Sequence, residues 1–375
     1  MEYPLGQRLR ELPGPLLLTG HTGFKGTWMT FLLEHLSVPV VGYSLPAEKD
    51  SLYDRAERTG AIPEAFADIR DYDALERFID LHKPSTIIHM AAQPLVLKSY
   101  ENPRETFDVN VMGTVNVLDI AFKKDFVKAI IVVTTDKVYR NDNSGRAFVE
   151  TDPLEGKDPY SASKVGSESV VAAWQQIAKV SGGPSVVSVR AGNVIGGGDF
   201  AENRIVPDLI RGVMSGTTVE IRNPESTRPW QHVLDPLLVY INFLQSLLER
   251  ESINPQNLNV GPQETALNVR QVIEYARNLL DEHQVKILLP DNQAMKNNLE
   301  AKSLELNSTL AKDALSYQPI WDQSAAITQT FEWWSAVLGK QESAAHRCRQ
   351  EITEFLGKAV TIYETNTINL KGKLL

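Results

Sequence analysis

Thr135-Asp136-Lys137 and, further along, Tyr160-Ser161-Ala162-Ser163-Lys164 are the residues of this chain whose types and spacing could do chemistry. Tyr-x-x-x-Lys on a helix sets a phenol one turn from an ammonium. That cation can lower the tyrosine pKa enough for it to act as a base near neutral pH. An upstream hydroxyl at the same site, here Thr135, suits hydride transfer at a carbinol carbon. Asp136 and Lys137 add a second acid/base pair that an oxidation alone does not need, so oxidation is expected to be one step of a longer reaction. The competing reading of Asp136-Lys137 is an exposed charged pair after a strand. The seven histidines offer no H-x-x-x-H spacing, and no metal site is expected.

Such groups need a scaffold. Leu16–Leu18, Val38–Tyr43, Ile87–Ala91, Ile130–Val133 and Ser185–Val189 are short apolar runs. Between them lie helical patterns at Gly26–His35, Ala74–His82 and Thr114–Phe122. Strands alternating with helices in this way predict an α/β fold with a doubly wound parallel Rossmann sheet. After about residue 190 the regularity weakens: Gly196-Gly197-Gly198 and Pro224–Pro229 mark loops, and Val206–Met214, Leu237–Leu248 and Val269–Leu280 read as helices. The expected division is a dinucleotide-binding domain over 1–189, a smaller substrate-binding lobe over 190–340 interleaved with sheet strands, and a C-terminal helix and tail over 341–375. From about Phe355 onward no pattern is evident.

Thr19-Gly20-His21-Thr22-Gly23-Phe24-Lys25-Gly26 follows the first strand and opens a helix. Glycines at this spacing permit a tight turn and let backbone N–H groups approach a pyrophosphate at the helix N-terminus, so this loop is expected to bind a dinucleotide. Asp68-Ile69 follows the expected third strand, where a carboxylate can accept the adenine amino group; the alternative for Asp68 is a helix N-cap. The second strand ends at Tyr43-Ser44 without the acidic residue that would hold a ribose 2′-hydroxyl. The residues therefore leave NAD and NADP open, and Lys25 could favour the phosphate.

Composition narrows the class. The chain has 375 residues, 42% hydrophobic and 23% charged, with a formal net charge of −9. That is ordinary globular composition, and the acidic balance argues against nucleic-acid and anionic-membrane partners. Cys348 is the one cysteine, which excludes an internal disulfide and fits a reducing cytoplasm. Arg8 and Arg10 are not followed by an apolar run of signal-peptide length, and the apolar segments are too short to span a bilayer.

The Gly20 loop, His89-Met-Ala-Ala-Gln-Pro94, Asn110-Val-Met-Gly-Thr114, Thr135-Asp-Lys137, Asp158-Pro-Tyr-Ser161, Val189–Asp199 and Arg228-Pro-Trp-Gln-His-Val233 together resemble the extended short-chain dehydrogenase/reductase superfamily of nucleotide-sugar epimerases and dehydratases, and within it the CDP-glucose 4,6-dehydratases. A fainter similarity continues at Glu300-Ala301 and from Leu304 to Ala311. The resemblance implies NAD as cofactor. Gly20, Gly23, Phe24, Lys25 and Gly26 would lie at its pyrophosphate and Asp68 and Ile69 at its adenine. Ala91 and Ala92 would line its path, and Tyr160 and Lys164 would touch the nicotinamide ribose. Gln93, Arg190, Asn193, Arg204, Arg228 and His232 would surround a nucleotide-diphosphate sugar; arginines suit phosphate oxygens through their planar fork. Thr135 stands where the family commonly has serine, and Arg140–Ala147 lacks the expected tryptophans.

The resemblance also implies an internal redox reaction. Tyr160 takes the O4 proton while hydride leaves C4, and the 4-ketone acidifies C5–H. Asp136 is the candidate acid for the departing C6 hydroxyl. Lys137 is the candidate base at C5, or else a cation that stabilises the enolate. Hydride then returns to C6, giving a 4-keto-6-deoxy sugar. A homodimer or dimer of dimers is expected. A 4-epimerase, a dehydratase for another nucleotide sugar and a non-catalytic dinucleotide sensor are the alternatives.

Overall fold

The computed structural model describes residues 5–221, 223–249, 255–262, 264, 267–280, 285–289 and 304–372. Glu300-Ala301 lie outside them. Strands β1 (Leu16–Thr19), β2 (Val40–Ser44), β3 (Glu64–Phe66), β4 (Thr86–His89), β5 (Ala129–Thr135), β6 (Ser185–Ala191) and β7 (Asn257–Val260) form a seven-stranded sheet in the order β7-β6-β5-β4-β1-β2-β3. Every neighbouring pair is parallel. The chain winds outward from β1 to β3, then crosses back to β4. The strand order therefore reverses between β1 and β4, and in open α/β sheets ligands bind in the crevice at that point.

Both faces of the sheet are covered, so its strands are apolar on both sides. Leu18, Ile88, Ile131 and Val189 face a layer built from α1 (Phe24–His35), α6 (Leu234–Glu249), α8 (Gln323–Leu338) and α9 (Ala344–Gly372). Leu17, Ile87, Ile130 and Val132 face α2 (Tyr72–His82), α3 (Gly113–Phe122) and α4 (Pro159–Ser181). Adjacent residues pointing to opposite layers is the period-two alternation of a strand.

Strand β7 comes from the later half of the chain and pairs with β6, so the sheet takes in residues beyond 189. Helix α9 runs well past Phe355, which is fully buried and packs edge-on to Trp321 at 5.1 Å. Among the described residues no helix is long and apolar enough to cross a membrane.

Asp235, fully buried at the start of α6, accepts a 2.7 Å hydrogen bond from Ile320 N through Oδ1, while Oδ2 has no partner among the described residues. Burial raises its carboxyl to about 7, against the pull of the Ile320 and Trp321 amides. A carboxyl raised in the fold stabilises it below the unfolded value of 3.8, and that contribution is lost as pH rises towards about 7. Asp235→Asn keeps the Oδ1 acceptor without the charge. It is expected to raise the melting temperature at pH above 7 and to flatten the melting-temperature profile between the two values; an unchanged profile on calorimetric scanning would contradict this.

Candidate active site

The glycine loop is shaped by backbone contact. Gly20 has a φ of 75°, and a Cβ there would lie 2.7 Å from Ala91 N; a Cβ on Gly26 would lie 2.1 Å from Gly20 O. These two glycines allow β1, β4 and α1 to meet. Gly23 differs: its backbone is extended, it is exposed, and the nearest atom to a Cβ is 3.4 Å away. Nothing among the described residues requires glycine there, which suits close approach of a ligand. Gly23 is the N-cap of α1, and no side chain caps that end. A loop of this shape at an uncapped helix N-terminus fits a diphosphate.

Thr19 Oγ1 joins the crevice walls: it bonds His89 Nδ1 at 2.7 Å and accepts from Met90 N and Ala91 N at 3.2 Å. Burial and the charge of Lys164 push His89 down to about 3, so the ring is neutral. Ala91 and Ala92 are partly open on this wall. At the other end, Asp68 holds Arg70 at 2.6 Å, and the N-cap of α2 is Asp71, which removes that alternative for Asp68. Ile69 is buried and lies under Gly113.

Strand β5 ends in Thr135, which caps the 3₁₀ turn Asp136–Val138 by accepting from Lys137 N at 3.3 Å. Helix α4 starts with Asp158 as N-cap and Pro159 in its first turn, and so presents Tyr160 and Lys164 one turn apart. Thr135 lies near enough to Tyr160 to favour its ionised form, and Thr135 Oγ1 donates to Asp136 Oδ1 at 3.0 Å. The exposed-pair reading of Asp136-Lys137 fails: Asp136 is 1% exposed and Lys137 half-buried.

The electrostatics differ from expectation at one point. Burial pushes Tyr160 up to about 12, with Thr135 pulling down, and Lys164 Nζ is engaged with Val133 O at 3.2 Å. Desolvation outweighs the activation expected from the helical spacing. Lys164 itself is lowered by burial to about 8, opposed by Glu168. Burial also raises Asp136, against the charges of Lys137, Arg228 and Lys25 and the Thr135 hydrogen bond. Asp136 Oδ2 is buried without a partner among the described residues, and a Cβ built on Gly192 would lie 3.4 Å from it. That orphaned oxygen is directed at the segment carrying Asn193.

Asn193 is partly exposed, and the Val194–Ile195 strand after it pairs with Gln231–His232. This brings Arg228, 7% exposed, into the electrostatic reach of Asp136. Arg204, half-open, pairs with Asp199 at 3.2 Å and acts on both Tyr160 and Lys25. Phe24 lies under Gly196.

Four residues are placed otherwise than the sequence suggested. Lys25 donates to the Tyr240 hydroxyl at 3.4 Å and is lowered by burial to about 7, with Arg204, Lys164 and Asp136 acting on it. Its ammonium therefore belongs to the catalytic cluster, and it is not set to meet a ribose phosphate beyond β2. Gln93 is used up in its own loop: Oε1 accepts from Leu95 N at 2.7 Å, and Nε2 donates to Leu95 O and Thr106 Oγ1. His232 is fully buried between Trp28 and Trp321, 2.8 Å from Glu351 of α9.

Arg190 also points away from the site. It forms a buried ion pair with Glu168 at 2.8 Å and donates to the Tyr139 hydroxyl at 2.8 Å. Removing one partner of such a pair typically costs about 3–5 kcal/mol. Arg190→Ala is accordingly expected to lower stability on that order in denaturant titration; an unchanged midpoint with weakened substrate binding would restore Arg190 to the site. Glu168, four residues beyond Lys164, continues the helical stripe of Tyr160 and Lys164, the sequence signal for its place beside Arg190.

The chain is similar in sequence and in fold to known proteins. A sequence model of the NAD dependent epimerase/dehydratase family matches residues 16–261. The chain is 36% identical over 348 residues to the CDP-glucose 4,6-dehydratase of Salmonella typhimurium, covering 91% of this chain and 96% of that protein. It is 25% identical over 341 residues to a dTDP-glucose 4,6-dehydratase of Xanthomonas campestris pv. campestris, covering 85% and 92%. Among solved structures, the dTDP-glucose 4,6-dehydratase of Bacillus anthracis in complex with NAD superposes with a TM-score of 0.71 at 19% identity, covering 89% of this chain and 99% of that one; the likeness is one of fold.

Proposed function

From the premise that this chain belongs to the NAD dependent epimerase/dehydratase family, we propose that it is a nucleotide-sugar 4,6-dehydratase acting on CDP-glucose. The observation that carries this reading is the buried Asp136, which accepts from Thr135, is flanked by Lys137 and has one oxygen without a partner among the described residues, beside Tyr160 in the same cluster. A simple oxidation or 4-epimerisation gives a second acid/base pair no work, whereas loss of water needs one. The 36% identity to a CDP-glucose 4,6-dehydratase supports the substrate.

In this reading Tyr160 accepts the O4 proton while Thr135 and Lys164 hold the phenol's surroundings fixed. NAD, held by the Gly20–Gly26 loop, would supply the acceptor for the C4 hydride and the source of the hydride for C6. Lys137 removes the C5 proton. Asp136, whose buried carboxyl keeps its proton to higher pH than an exposed one, gives it to the departing C6 hydroxyl. Gly20, Gly23 and Gly26, with Phe24, cradle the cofactor diphosphate; Asp68 and Ile69 bound its adenine; Ala91 and Ala92 line the wall between. Arg204, Arg228 and Asn193 meet the nucleotide sugar, and Lys25 adds a cation beside Asp136. Residues up to β6, completed by β7, serve the cofactor, and the remainder serves the sugar nucleotide. The exposed Leu97, Tyr100, Phe107 and Met112 suit a homodimer contact, and the single buried thiol suits the cytoplasm.

Incubation of the protein with NAD and a panel of nucleotide-diphosphate glucoses tests the proposal. CDP-glucose is expected to give a product that gains near-ultraviolet absorbance in base, as a 4-keto-6-deoxy sugar does. Preference for another nucleotide would overturn the substrate, and a 4-epimer without that absorbance would overturn the reaction.

A further inference from the structure

Strand β2 ends without the carboxylate that commonly holds a ribose 2′-hydroxyl in this fold, which leaves the choice between NAD and NADP open on sequence alone. The structure supplies another acceptor at that place. Thr19 of β1 pairs with Tyr43 of β2, and Gly20 N donates to Tyr43 O at 2.9 Å. Ser44 therefore stands one residue further on, beside the glycine loop at the ligand end of the sheet. Its carbonyl is fixed from the other side, accepting from Ala67 N beyond β3 at 2.8 Å. Its side chain reaches the loop itself: Ser44 Oγ and Thr22 Oγ1 are hydrogen-bonded at 2.8 Å, and both residues are buried.

A second bond fixes the direction of the first. Thr22 Oγ1 also lies 3.0 Å from Leu45 O, and a carbonyl only accepts, so the Thr22 proton goes there. The proton between the two hydroxyls must then come from Ser44. A hydroxyl has one proton to give and two lone pairs to receive. Ser44 has spent its proton on Thr22, and its oxygen accepts from no group among the described residues. It offers the strand end lone pairs alone, as a carboxylate oxygen would.

We propose that Ser44, oriented by Thr22, selects NAD over NADP by acting as an acceptor-only hydroxyl at the adenosine ribose. A ribose 2′-hydroxyl has a proton to donate and satisfies it. A 2′-phosphate, largely dianionic at neutral pH, brings only acceptor oxygens, so lone pairs face lone pairs and a bond goes unmade. The arginines that follow β2 and β3 are engaged elsewhere. Arg55 donates to Asp50 O at 2.8 Å, and Arg70 holds Asp68 at 2.6 Å. Lys49 is the one cation in the segment 45–50 and lies between Glu48 and Asp50. The proposal concerns the cofactor and holds whichever nucleotide sugar reacts.

Equilibrium dialysis of the full-length protein against NAD and NADP in competition, with the retained dinucleotides quantified by chromatography, tests this without any sugar. The wild-type protein is expected to prefer NAD by about tenfold or more. Thr22→Val removes the acceptor that engages the Ser44 proton, so Ser44 can donate to a phosphate. It is expected to reduce the preference about tenfold by strengthening NADP binding. Ser44→Ala is expected to reduce it comparably by weakening NAD binding. Thr22→Ser, which keeps the bond to Leu45 O, is expected to retain the wild-type preference. Adding Thr22→Val to Ser44→Ala is expected to change nothing further, because Thr22 acts through Ser44. Equal binding of the two dinucleotides by the wild type, or an unchanged preference in Ser44→Ala, would overturn selection by Ser44. An unchanged preference in Thr22→Val, or a further shift in the double variant, would overturn its orientation by Thr22. A wild-type protein that keeps the preference yet forms no 4-keto-6-deoxy sugar would overturn the dehydratase reading and leave this one standing.

Discussion

Replacing Tyr160 by phenylalanine is expected to lower turnover of the nucleotide sugar about 10²–10⁴-fold, the usual contribution of a positioned acid/base group. The ring stays where it is, because phenylalanine fills the same buried space at the start of α4. What disappears is the oxygen that receives the O4 proton and whose ionisation Thr135 favours. Cofactor affinity, read by fluorescence titration, is expected to hold, whereas formation of reduced nicotinamide in a single turnover falls with the overall rate. A variant that still reduces the cofactor at the wild-type rate would move the base to another residue. Lys25, with its ammonium lowered to about 7 in the same cluster, would be the next to test.

Lys137→Ala is expected to stop the reaction at a later point. Lys137 sits half-buried on the 3₁₀ turn beside Asp136 and makes none of the contacts that hold Tyr160 or Lys164. Oxidation at C4 should therefore survive while loss of water slows about 10²–10⁴-fold, with cofactor still bound. In heavy water the wild-type product acquires deuterium at C5; the 4-ketone held by the variant is expected to keep its original C5 hydrogen. Exchange at C5 that persists without elimination would make Lys137 a stabiliser of the enolate. Undiminished dehydratase turnover would remove it from the mechanism.

The fold was readable because its signals are local. A glycine loop after β1, apolar runs whose adjacent residues face opposite layers and capped helices each follow from a few neighbouring residues. The catalytic set was readable for a related reason: Thr135, Asp136 and Lys137 share one turn, and Tyr160 and Lys164 one helical stripe. The residues that were misjudged are those whose partner lies far along the chain. Arg190 reads as a phosphate ligand until Glu168 and Tyr139 close around it. His232 beside Arg228 reads as a sugar contact until Glu351 of α9 arrives from more than a hundred residues away. Lys25 was assigned to the cofactor by its loop, yet its long side chain leaves the loop for Tyr240 and the Asp136 cluster. The tyrosine pKa was misjudged for want of burial, which the Tyr-x-x-x-Lys spacing cannot report and which here outweighs a nearby charge.

The central claim is an internal redox reaction in which the hydrogen removed from one carbon of the sugar is delivered to another. CDP-glucose carrying deuterium at C4 follows that hydrogen directly, by mass spectrometry and NMR of the product. The account predicts deuterium at C6 of the 4-keto-6-deoxy sugar, with none lost to solvent and no net consumption of NAD. Deuterium returned to C4, as epimerisation would give, or a stoichiometric accumulation of reduced cofactor would contradict it.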